Sequence, residues 1–321
     1  MKKFKLETQH IPILITIVLF AFIYAIGSVK YTGFFSFQVF FNLLIDNSFL
    51  LITAVGMTFV ILSGGIDLSV GSVIALTTMI SATLLQDQWS PGIVIPLVLI
   101  MGSLFGWGMG YIIHYFKVQP FIVTLAGMFL ARGLCYVISI DTIIIDDPFY
   151  QFMSQKKVHI FGDSFVSISV IIALAMVALA IYIAHFTKFG RNTYAIGGNE
   201  QSAVLMGLPV GRTKIMVYMF SGFCSALSGV VFTFYMLSGY ALHATGLELD
   251  TIAAVVIGGT LLTGGFGFIV GTFFGVLMQG VIQTMITFEG TLSSWWTKIA
   301  IGMLLFFFIL MQRILVSRRR N

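Results

Sequence analysis

The sequence predicts an all-α, polytopic integral membrane protein, folded as a single transmembrane domain over residues 1–321 with about ten transmembrane helices. Hydrophobic residues make up 58% of the chain and charged residues only 9%, whereas an ordinary soluble domain carries about 25% charged residues. A membrane-spanning helix needs about 20 apolar residues, and runs of roughly that length recur along the whole chain. They lie near residues 11–29, 43–62, 68–85, 92–116, 120–140, 164–186, 215–237, 249–263, 267–286 and 296–312.

The distribution of basic residues predicts that both termini are cytoplasmic. Lysine and arginine accumulate in cytoplasmic loops, and ten crossings that start inside leave most of the basic residues inside. The inside set is Lys2, Lys3, Lys5, Lys117, Lys188, Arg191, Arg212, Lys214, Arg313, Arg318, Arg319 and Arg320, and the outside set is Lys30, Lys156 and Lys157. The three N-terminal lysines also fit a signal peptide. The long apolar run that follows, without a clear small-residue cleavage site, favours a retained helix.

The longest polar run, residues 187–214, predicts a cytoplasmic loop that carries one small helix. Asn199 is a good N-cap and Glu200 suits the first turn, while Gly207 is placed to end the helix and Pro209 prevents its continuation. A helix of about seven residues is only marginally stable by itself, so it needs something to pack against. The packing surface is either a soluble partner that pushes on the loop or the helical bundle itself.

Two stretches that start 200 residues apart resemble each other, which indicates an internal repeat. Residues 61–76 read ILSGGIDLSVGSVIAL and residues 261–276 read LLTGGFGFIVGTFFGV. Glycine-interrupted segments at corresponding places in two halves of a chain point to a transport path. The segment count puts both copies on the cytoplasmic side in a parallel relation, whereas an inverted relation would require one re-entrant segment. The predicted helix breaks are Gly64, Gly65, Gly264 and Gly265.

Glycines also recur at every fourth position within two of the apolar segments. Such stripes let helix backbones approach closely. We expect them to serve helix packing, either within the chain or against a second membrane subunit. The two stripes are Gly102, Gly106 and Gly110, and Gly267, Gly271 and Gly275.

Polar residues within or beside the apolar segments supply a candidate translocation path. Asp67 follows the first glycine pair. A carboxylate there is a functional candidate, but the N-cap of the next helix is the favoured interpretation. Arg132 lies about 18 Å along its segment, where insertion costs about 2.5–3.5 kcal/mol, so we expect it to pair with a carboxylate or with freed backbone carbonyls. The candidate path comprises Asp67, Ser69, Arg132, Gln279, Gln283, Trp295 and Trp296.

The two tryptophans of this set precede Lys298 at the outer end of the last segment. An aromatic belt with a snorkelling lysine explains all three residues, and this is the favoured interpretation. The alternative is that the indoles line the path, where the flat faces of a sugar ring would stack on them.

The sequence lacks the motifs of an ATP-hydrolysing or metal-binding protein. No lysine follows a glycine, so the phosphate-binding G-x-x-x-x-G-K-[ST] loop is absent, and the chain does not hydrolyse ATP alone. Its five histidines and two cysteines show no ligand spacing, so no metal site is predicted. The net charge of +5 does not indicate nucleic acid, because so few charges are present.

Four stretches carry a resemblance to a known family. They read AVGMTFVILSGGIDLSVGS at 54–72, TLAGMFLARG at 124–133, FGRNTYAIGGNEQSAVLMGLPV at 189–210 and LELDTIAAVVIGGTLLTGGFG at 247–267. Together they look like the ribose-type permease subunits of bacterial ABC sugar importers. The C-terminal FEGTLSSWWTKIAIG at 288–302 further resembles one permease subunit of a galactofuranose importer.

The resemblance implies an importer in the lipid of the bacterial inner membrane. It would be built from two permease chains, a pair of cytoplasmic ATPase domains that bind ATP and Mg, and an extracytoplasmic sugar-binding protein, with no cofactor in this chain. Galactofuranose systems use two different permease chains, so a heterodimer is expected. The helix at 199–207 would be the coupling helix that docks into an ATPase groove. The coupling residues are Gly197, Gly198, Asn199, Glu200, Ala203, Met206 and Gly207.

The resulting hypothesis is a permease subunit that moves galactofuranose or a related monosaccharide inward by alternating access. ATP would close the cytoplasmic ATPase domains, and the loop helix would transmit that closure to the segments that flank the two glycine pairs. The alternative is a secondary transporter or channel for a small polar solute, driven by an ion gradient and needing no ATPase.

Overall fold

The computed structural model describes residues 11–162, 164–293 and 295–317. These residues are mostly helical, with two small antiparallel β-pairs. The helices are α1 (Ile11–Lys30), α2 (Phe37–Asp46), α3 (Ser48–Leu62), α4 (Val70–Gln86), α5 (Pro91–Tyr115), α6 (Pro120–Ile138), α7 (Pro148–Gln155), α8 (Ile168–Phe186), α9 (Lys188–Gly198), α10 (Glu200–Leu205), α11 (Val210–Met236), α12 (Leu247–Ile257), α13 (Ile269–Glu289) and α14 (Trp295–Ser317). The strands are β1 (Ile143–Ile144), β2 (Lys157–Phe161), β3 (Ser164–Ser167) and β4 (Ser238–Gly239), with β1 paired to β4 and β2 to β3.

Seven of the described helices are long and apolar enough to cross a membrane, namely α1, α5, α6, α8, α11, α13 and α14. An eighth span results if α2 and α3, which meet at a bend of 57°, are counted as one broken helix. The two other apolar segments of the sequence correspond to α4, with 17 residues, and α12, with 11 residues. Both are shorter than the usual 20 residues. If the chain crosses the membrane ten times, α4 and α12 must each contribute one of the crossings.

Helix α11 lies at the centre of the bundle and packs against α3, α4 and α5. The approach of α5 is so close that a Cβ atom on Gly106 would lie 2.1 Å from the carbonyl oxygen of Tyr218. The second glycine stripe brings α13 equally close to α12, since a Cβ on Gly275 would lie 2.0 Å from the carbonyl oxygen of Ala254. The predicted close packing of helix backbones is therefore present, and both stripes pack within this chain.

Between α11 and α12 the chain runs through the bundle without forming a helix. Residues 237–246 follow α4, with Gly239 against Thr78 and Ala244 against Gly71. The two contacts lie seven positions apart on α4, which corresponds to about 11 Å of helix. Non-helical backbone at membrane depth is tolerated only where it is buried in protein or lines a cavity. This segment explains why α12 is short, because the non-helical run covers part of the same crossing.

Candidate functional site

Three glycine pairs from distant parts of the chain meet at one end of the bundle, which we call the loop end because it holds residues 187–214. The glycine junction consists of Gly64, Gly65, Gly197, Gly198, Gly264 and Gly265. The amide of Gly265 donates a hydrogen bond of 2.9 Å to the carbonyl of Leu62. A Cβ on Gly197 would lie 1.7 Å from that oxygen, and one on Gly264 would lie 2.8 Å from the Cα of Gly64. The absence of side chains lets the three backbones touch.

The two repeated stretches reach this junction differently. Helix α3 ends two residues before Gly64, which follows in a left-handed conformation with φ +84°. Helix α12 already ends at Gly258 and Gly259, where φ is +91° at the second glycine. Gly264 and Gly265 lie within the loop between α12 and α13, and α12 ends before them at Ile257. Both stretches lie at the loop end, which is the parallel arrangement.

Within residues 187–214, the small helix α10 lies where the sequence predicts one. The Oδ1 atom of Asn199 accepts a hydrogen bond of 2.8 Å from the amide of Ser202, as an N-cap does. Gly207 follows the helix with φ +73°. The next helix, α11, begins at Val210, five residues earlier than predicted from hydropathy.

Helix α9 was missed, because the sequence was interpreted as loop there. Its eleven residues, Lys188–Gly198, include three glycines, which are poor helix formers. Packing holds the helix instead: the ring of Phe189 stacks on Phe59 at 5.7 Å, and the Tyr194 hydroxyl donates a 2.8 Å hydrogen bond to the carbonyl of Gly267. The loop is therefore a folded unit that rests on the bundle.

Helix α10 combines one anchored face with an exposed apolar tip. Ala203 is fully buried, whereas Leu205 is 88% and Met206 66% exposed. Glu200 pairs with Lys214 over 2.7 Å, which ties α10 to the first turn of α11. The two interpretations left open by the sequence are therefore compatible, since α10 packs on its own bundle and still presents an apolar surface outward.

An open cavity of about 950 Å³ lies between the glycine junction, α10 and the neighbouring ends of α5, α6 and α11. We call it the junction cavity. Its lining includes the predicted coupling residues Gly197, Gly198, Asn199 and Glu200. Tyr218 closes its inner wall. Any movement of α10 against the bundle therefore changes the shape of this cavity.

Asp67 is fully buried and holds the start of α4 in place. Its Oδ1 accepts hydrogen bonds from the amide and the hydroxyl of Ser69, at 3.0 and 2.6 Å, and its Oδ2 accepts one of 2.8 Å from the hydroxyl of Ser221 in α11. The carboxylate thus caps the turn that leads into α4 and links it to α11. The N-cap of α4 is Ser69, so the predicted cap at Asp67 is corrected: Asp67 instead binds the turn that precedes the helix, which is a structural role.

Arg132 satisfies backbone carbonyls that the non-helical segment leaves free. Its Nη1 donates to the carbonyl oxygens of Ala241 and His243, the second at 2.9 Å. Of the two expected kinds of partner, carboxylate or freed carbonyls, the structure contains the second. Arg132 therefore fastens residues 237–246 to α6.

Gln279 and Gln283 line a second cavity of about 490 Å³, which we call the α13 cavity. The amide Nε2 of Gln279 donates a 2.9 Å hydrogen bond to the carbonyl of Asp250. Lys298 does not merely snorkel, because its ammonium pairs with the Asp250 carboxylate. Trp295 and Trp296 are both exposed at the start of α14; they precede the lining residues Thr297 and Lys298 in the chain but do not line the cavity themselves. The candidate path residues thus form three separate groups, with Asp67 and Arg132 away from the α13 cavity.

The architecture agrees with the comparisons with known proteins. Residues 39–309 match the family described as branched-chain amino acid transport system / permease component. The chain belongs to this permease family. The permease is 52% identical over 306 residues to the inner membrane ABC transporter permease protein YjfF of Escherichia coli K12, which covers 95% of this chain and 92% of that protein. No solved structure matches the permease.

Two further relatives are named for the import of a sugar. The permease is 38% identical over 322 residues to the fructose import permease protein FruG of Bifidobacterium longum, with 98% of this chain and 94% of FruG covered. It is 38% identical over 298 residues to the ribose import permease protein RbsC of Haemophilus influenzae, with 92% of this chain and 91% of RbsC covered. The chain is therefore a permease component of ABC sugar transport.

This membership decides several general properties of the permease. It is a multi-pass inner-membrane protein and not an enzyme, since ATP hydrolysis in ABC importers belongs to a separate subunit. An ATPase and a substrate-binding protein are its partners, and permease chains of this family carry no cofactor. The alternative of an ion-gradient-driven transporter without an ATPase is set aside.

Sequence reasoning missed several polar residues of the permease that surround the α13 cavity. Asp46 and Asn47 lie at the bend between α2 and α3, and Asp250 lies in the first turn of α12. The signal in the sequence was the Asp-Asn pair inside an otherwise apolar run. Within the described residues, no group of three or more His, Cys, Asp or Glu side chains is placed to hold a metal ion.

Proposed function

We propose that this permease moves galactofuranose or a related monosaccharide into the cytoplasm by alternating access, driven by ATP hydrolysis in ATPase subunits that bind ATP and Mg. The ATPase grips the apolar tip of α10, and its closure shifts residues 187–214 against the bundle. The observation that carries the proposal is the glycine junction, because it joins the coupling loop to both repeated stretches by direct backbone contact. A displacement of α9 must therefore move the ends of α3 and the loop before α13.

The choice of sugar is supported by residues and by relatives. Relatives that align along nearly the whole chain are named for the import of fructose and ribose. Residues 288–302, FEGTLSSWWTKIAIG, resemble one permease subunit of a galactofuranose importer. The proposal therefore includes a second, different permease chain beside this one and a sugar-binding protein on the outer face.

We further propose ten crossings with the loop end and both termini in the cytoplasm. The described ends of the chain support this arrangement, since Thr16 of α1 and Gln312 of α14 both donate hydrogen bonds to carbonyls at the loop end of α12. Of the basic residues predicted inside, Lys117, Lys188, Arg191, Arg212 and Lys214 lie in connections or first turns at the loop end. Those at the chain ends, Lys2, Lys3, Lys5, Arg318, Arg319 and Arg320, lie outside the described residues.

Within this mechanism the candidate path residues have two different roles. The residues proposed to face the solute are Gln279, Gln283, Trp295 and Trp296. Those proposed to brace the walls are Asp67, Ser69 and Arg132, because their side chains are occupied by hydrogen bonds within the bundle. Binding along the path is weak, since the sugar-binding protein already supplies specificity and a tight inner site would delay release.

The orientation and the coupling surface can be tested together with single cysteines. The native Cys135 and Cys224 are buried, so a membrane-impermeant thiol reagent reports on introduced residues. We expect Leu205→Cys, at the tip of α10, to react only in inside-out vesicles and to cross-link to the ATPase. The matched variant Ile160→Cys, an exposed residue of β2 at the opposite end, is expected to react only from the outside. Reaction of Leu205→Cys in intact cells would contradict the proposal.

The sugar can be tested by uptake in cells that express the complete import system. Radiolabelled galactose is the substrate, and the competitors are methyl β-D-galactofuranoside and methyl β-D-galactopyranoside, whose ring forms are locked. We expect the furanoside to inhibit uptake more strongly. Stronger inhibition by the pyranoside, or uptake without ATP, would refute the assignment.

A further inference from the structure

We propose that the α13 cavity is a binding site for an uncharged, polyhydroxylated monosaccharide within this subunit. The inference rests on the proposed function, because it takes the solute to be a sugar. The cavity measures about 490 Å³, within the range of about 300–1,000 Å³ that is typical of small-molecule sites. The proposal names the residues that hold the sugar while it crosses the membrane.

The first argument is the position of the cavity where interrupted helices meet. One wall is the bend of 57° between α2 and α3, at Asp46 and Asn47. Another wall is the first turn of α12, which begins only after the non-helical residues 237–246. In transporters built from discontinuous helices, the solute binds where such interruptions face each other near the middle of the bilayer.

The second argument is the depth to which the cavity reaches along α13. Gln279 lies ten residues from either end of α13, Ile269–Glu289, which is about 15 Å in each direction at 1.5 Å per residue. The lining continues from Gln279 past Gln283 to Gly290, at the end of α13 that is opposite the loop end. The cavity therefore leads from that face of the bundle down to the level of the bilayer centre.

The third argument is the chemistry of the lining. A sugar hydroxyl both donates and accepts hydrogen bonds, so it is matched by carboxylates, amides and an ammonium group side by side. The α13 cavity presents the carboxylates of Asp46 and Asp250, the amides of Gln279 and Gln283, and the ammonium of Lys298. Gln279 is 3% exposed and its amide is oriented by the bond to the Asp250 carbonyl. These groups converge from four helices on one space.

The fourth argument is the charge of the side chains that line the cavity. Lys298 neutralises Asp250 by direct pairing, whereas no cation of the described residues forms an ion pair with Asp46. The Asp46 carboxylate is exposed in the lining of the cavity, where it repels a second anion. The cavity therefore accepts neutral sugars and disfavours sugar phosphates.

The test is protection of an introduced cysteine by sugar in membranes that contain the complete importer. Gln283→Cys is exposed to a cationic, membrane-impermeant methanethiosulfonate reagent with and without D-galactose, D-ribose, D-fructose or ribose 5-phosphate. Gln86→Cys, at the exposed end of α4, is the matched control. We expect any neutral sugar that the same membranes take up to slow the labelling of Gln283→Cys several-fold, with no effect on Gln86→Cys and none from ribose 5-phosphate.

The proposal is overturned if a sugar that is demonstrably transported leaves the labelling rate of Gln283→Cys unchanged. Failure of the proposed function is recognised separately, since no sugar would then be taken up in an ATP-dependent manner. If Gln283→Cys does not assemble, Thr287→Cys, one turn further along α13 in the same cavity, gives the same readout.

Discussion

Replacing Gly197 by alanine is expected to disable the permease, whereas the same replacement at Gly198 is expected to be tolerated. A Cβ on Gly197 would lie 1.7 Å from the carbonyl oxygen of Leu62 and 2.5 Å from the amide nitrogen of Gly265. These two groups are hydrogen-bonded to each other. A carbon–oxygen contact needs about 3.3 Å, so the chain would have to withdraw by roughly 1.6 Å. Nothing lies within 4 Å of a Cβ on Gly198.

The magnitude follows from the two interactions that the new methyl group disturbs. Overpacking costs about 1–3 kcal/mol, and loss of the hydrogen bond between Leu62 and Gly265 costs about 0.5–1.5 kcal/mol. Together they give about 1.5–4.5 kcal/mol, against about 5–15 kcal/mol for the whole stability of a typical domain. The gain in helix propensity from alanine, at most about 1 kcal/mol, is shared by both variants because both lie in the last turn of α9.

The assay combines stability and transport in the same preparations. The midpoint of thermal denaturation in detergent is measured for Gly197→Ala and Gly198→Ala, together with ATP-dependent sugar uptake by the assembled importer. We expect a lower midpoint and little uptake for the first variant and values near the parent for the second. Equal midpoints and equal uptake for the two variants would refute the account of the glycine junction.

Three other outcomes are expected. Arg132→Gln should lower the denaturation midpoint in detergent, because two carbonyls of the non-helical segment would lose their charged donor. Hydrogen bonds from a charged donor contribute about 1.5–3 kcal/mol. An unchanged midpoint would contradict this expectation. Gly106→Ala should also lower the denaturation midpoint and reduce assembly, because its Cβ would meet a carbonyl of α11. Gly108→Ala should do neither, because nothing lies within 4 Å of its Cβ. Size-exclusion chromatography measures the assembled fraction of each variant. Asp46→Asn should reduce the preference of Gln283→Cys for a cationic over an anionic thiol reagent, measured as the ratio of the two labelling rates. An unaltered ratio would show that Asp46 does not set the charge of the α13 cavity.

Much of the helical framework could be predicted from hydropathy, because lipid leaves the backbone few alternatives to a helix. Each predicted apolar segment overlaps a helix or the bent pair α2 and α3, although residues 164–167 form β3 and α12 ends at Ile257, before the predicted end at 263. The cap at Asn199 could also be predicted, since its hydrogen bond reaches only to Ser202. Local signals of this kind do not depend on the rest of the fold.

The failures have a common physical cause, which is that tertiary contacts decided the local structure. Helix α9 forms in spite of its glycines because Phe189 and Tyr194 pack on distant segments. The run at 237–246 lies between the predicted segments 215–237 and 249–263, but its course along α4, held by bonds from Arg132 to Ala241 and His243, could not be predicted. Hydropathy alone carries no information about either partner.

The candidate site was predictable only in part for the same reason. Gln279 and Gln283 were selected from the sequence, and the structure brings both into one cavity. Asp46 belongs to the same cavity, but it lies more than 230 residues away in the chain. No pattern in the sequence joins the two, because only the packing of α2 against α13 does.

The non-helical run between α11 and α12 is a mechanical break between the two helices. A continuous helix resists flexing because every turn is cross-linked to the next by hydrogen bonds. The run lacks that ladder, so a tilt of α12 together with α13 and α14, to which it is bonded, need not be passed on to α11. Arg132, through its bonds to Ala241 and His243, limits the displacement of the run relative to α6.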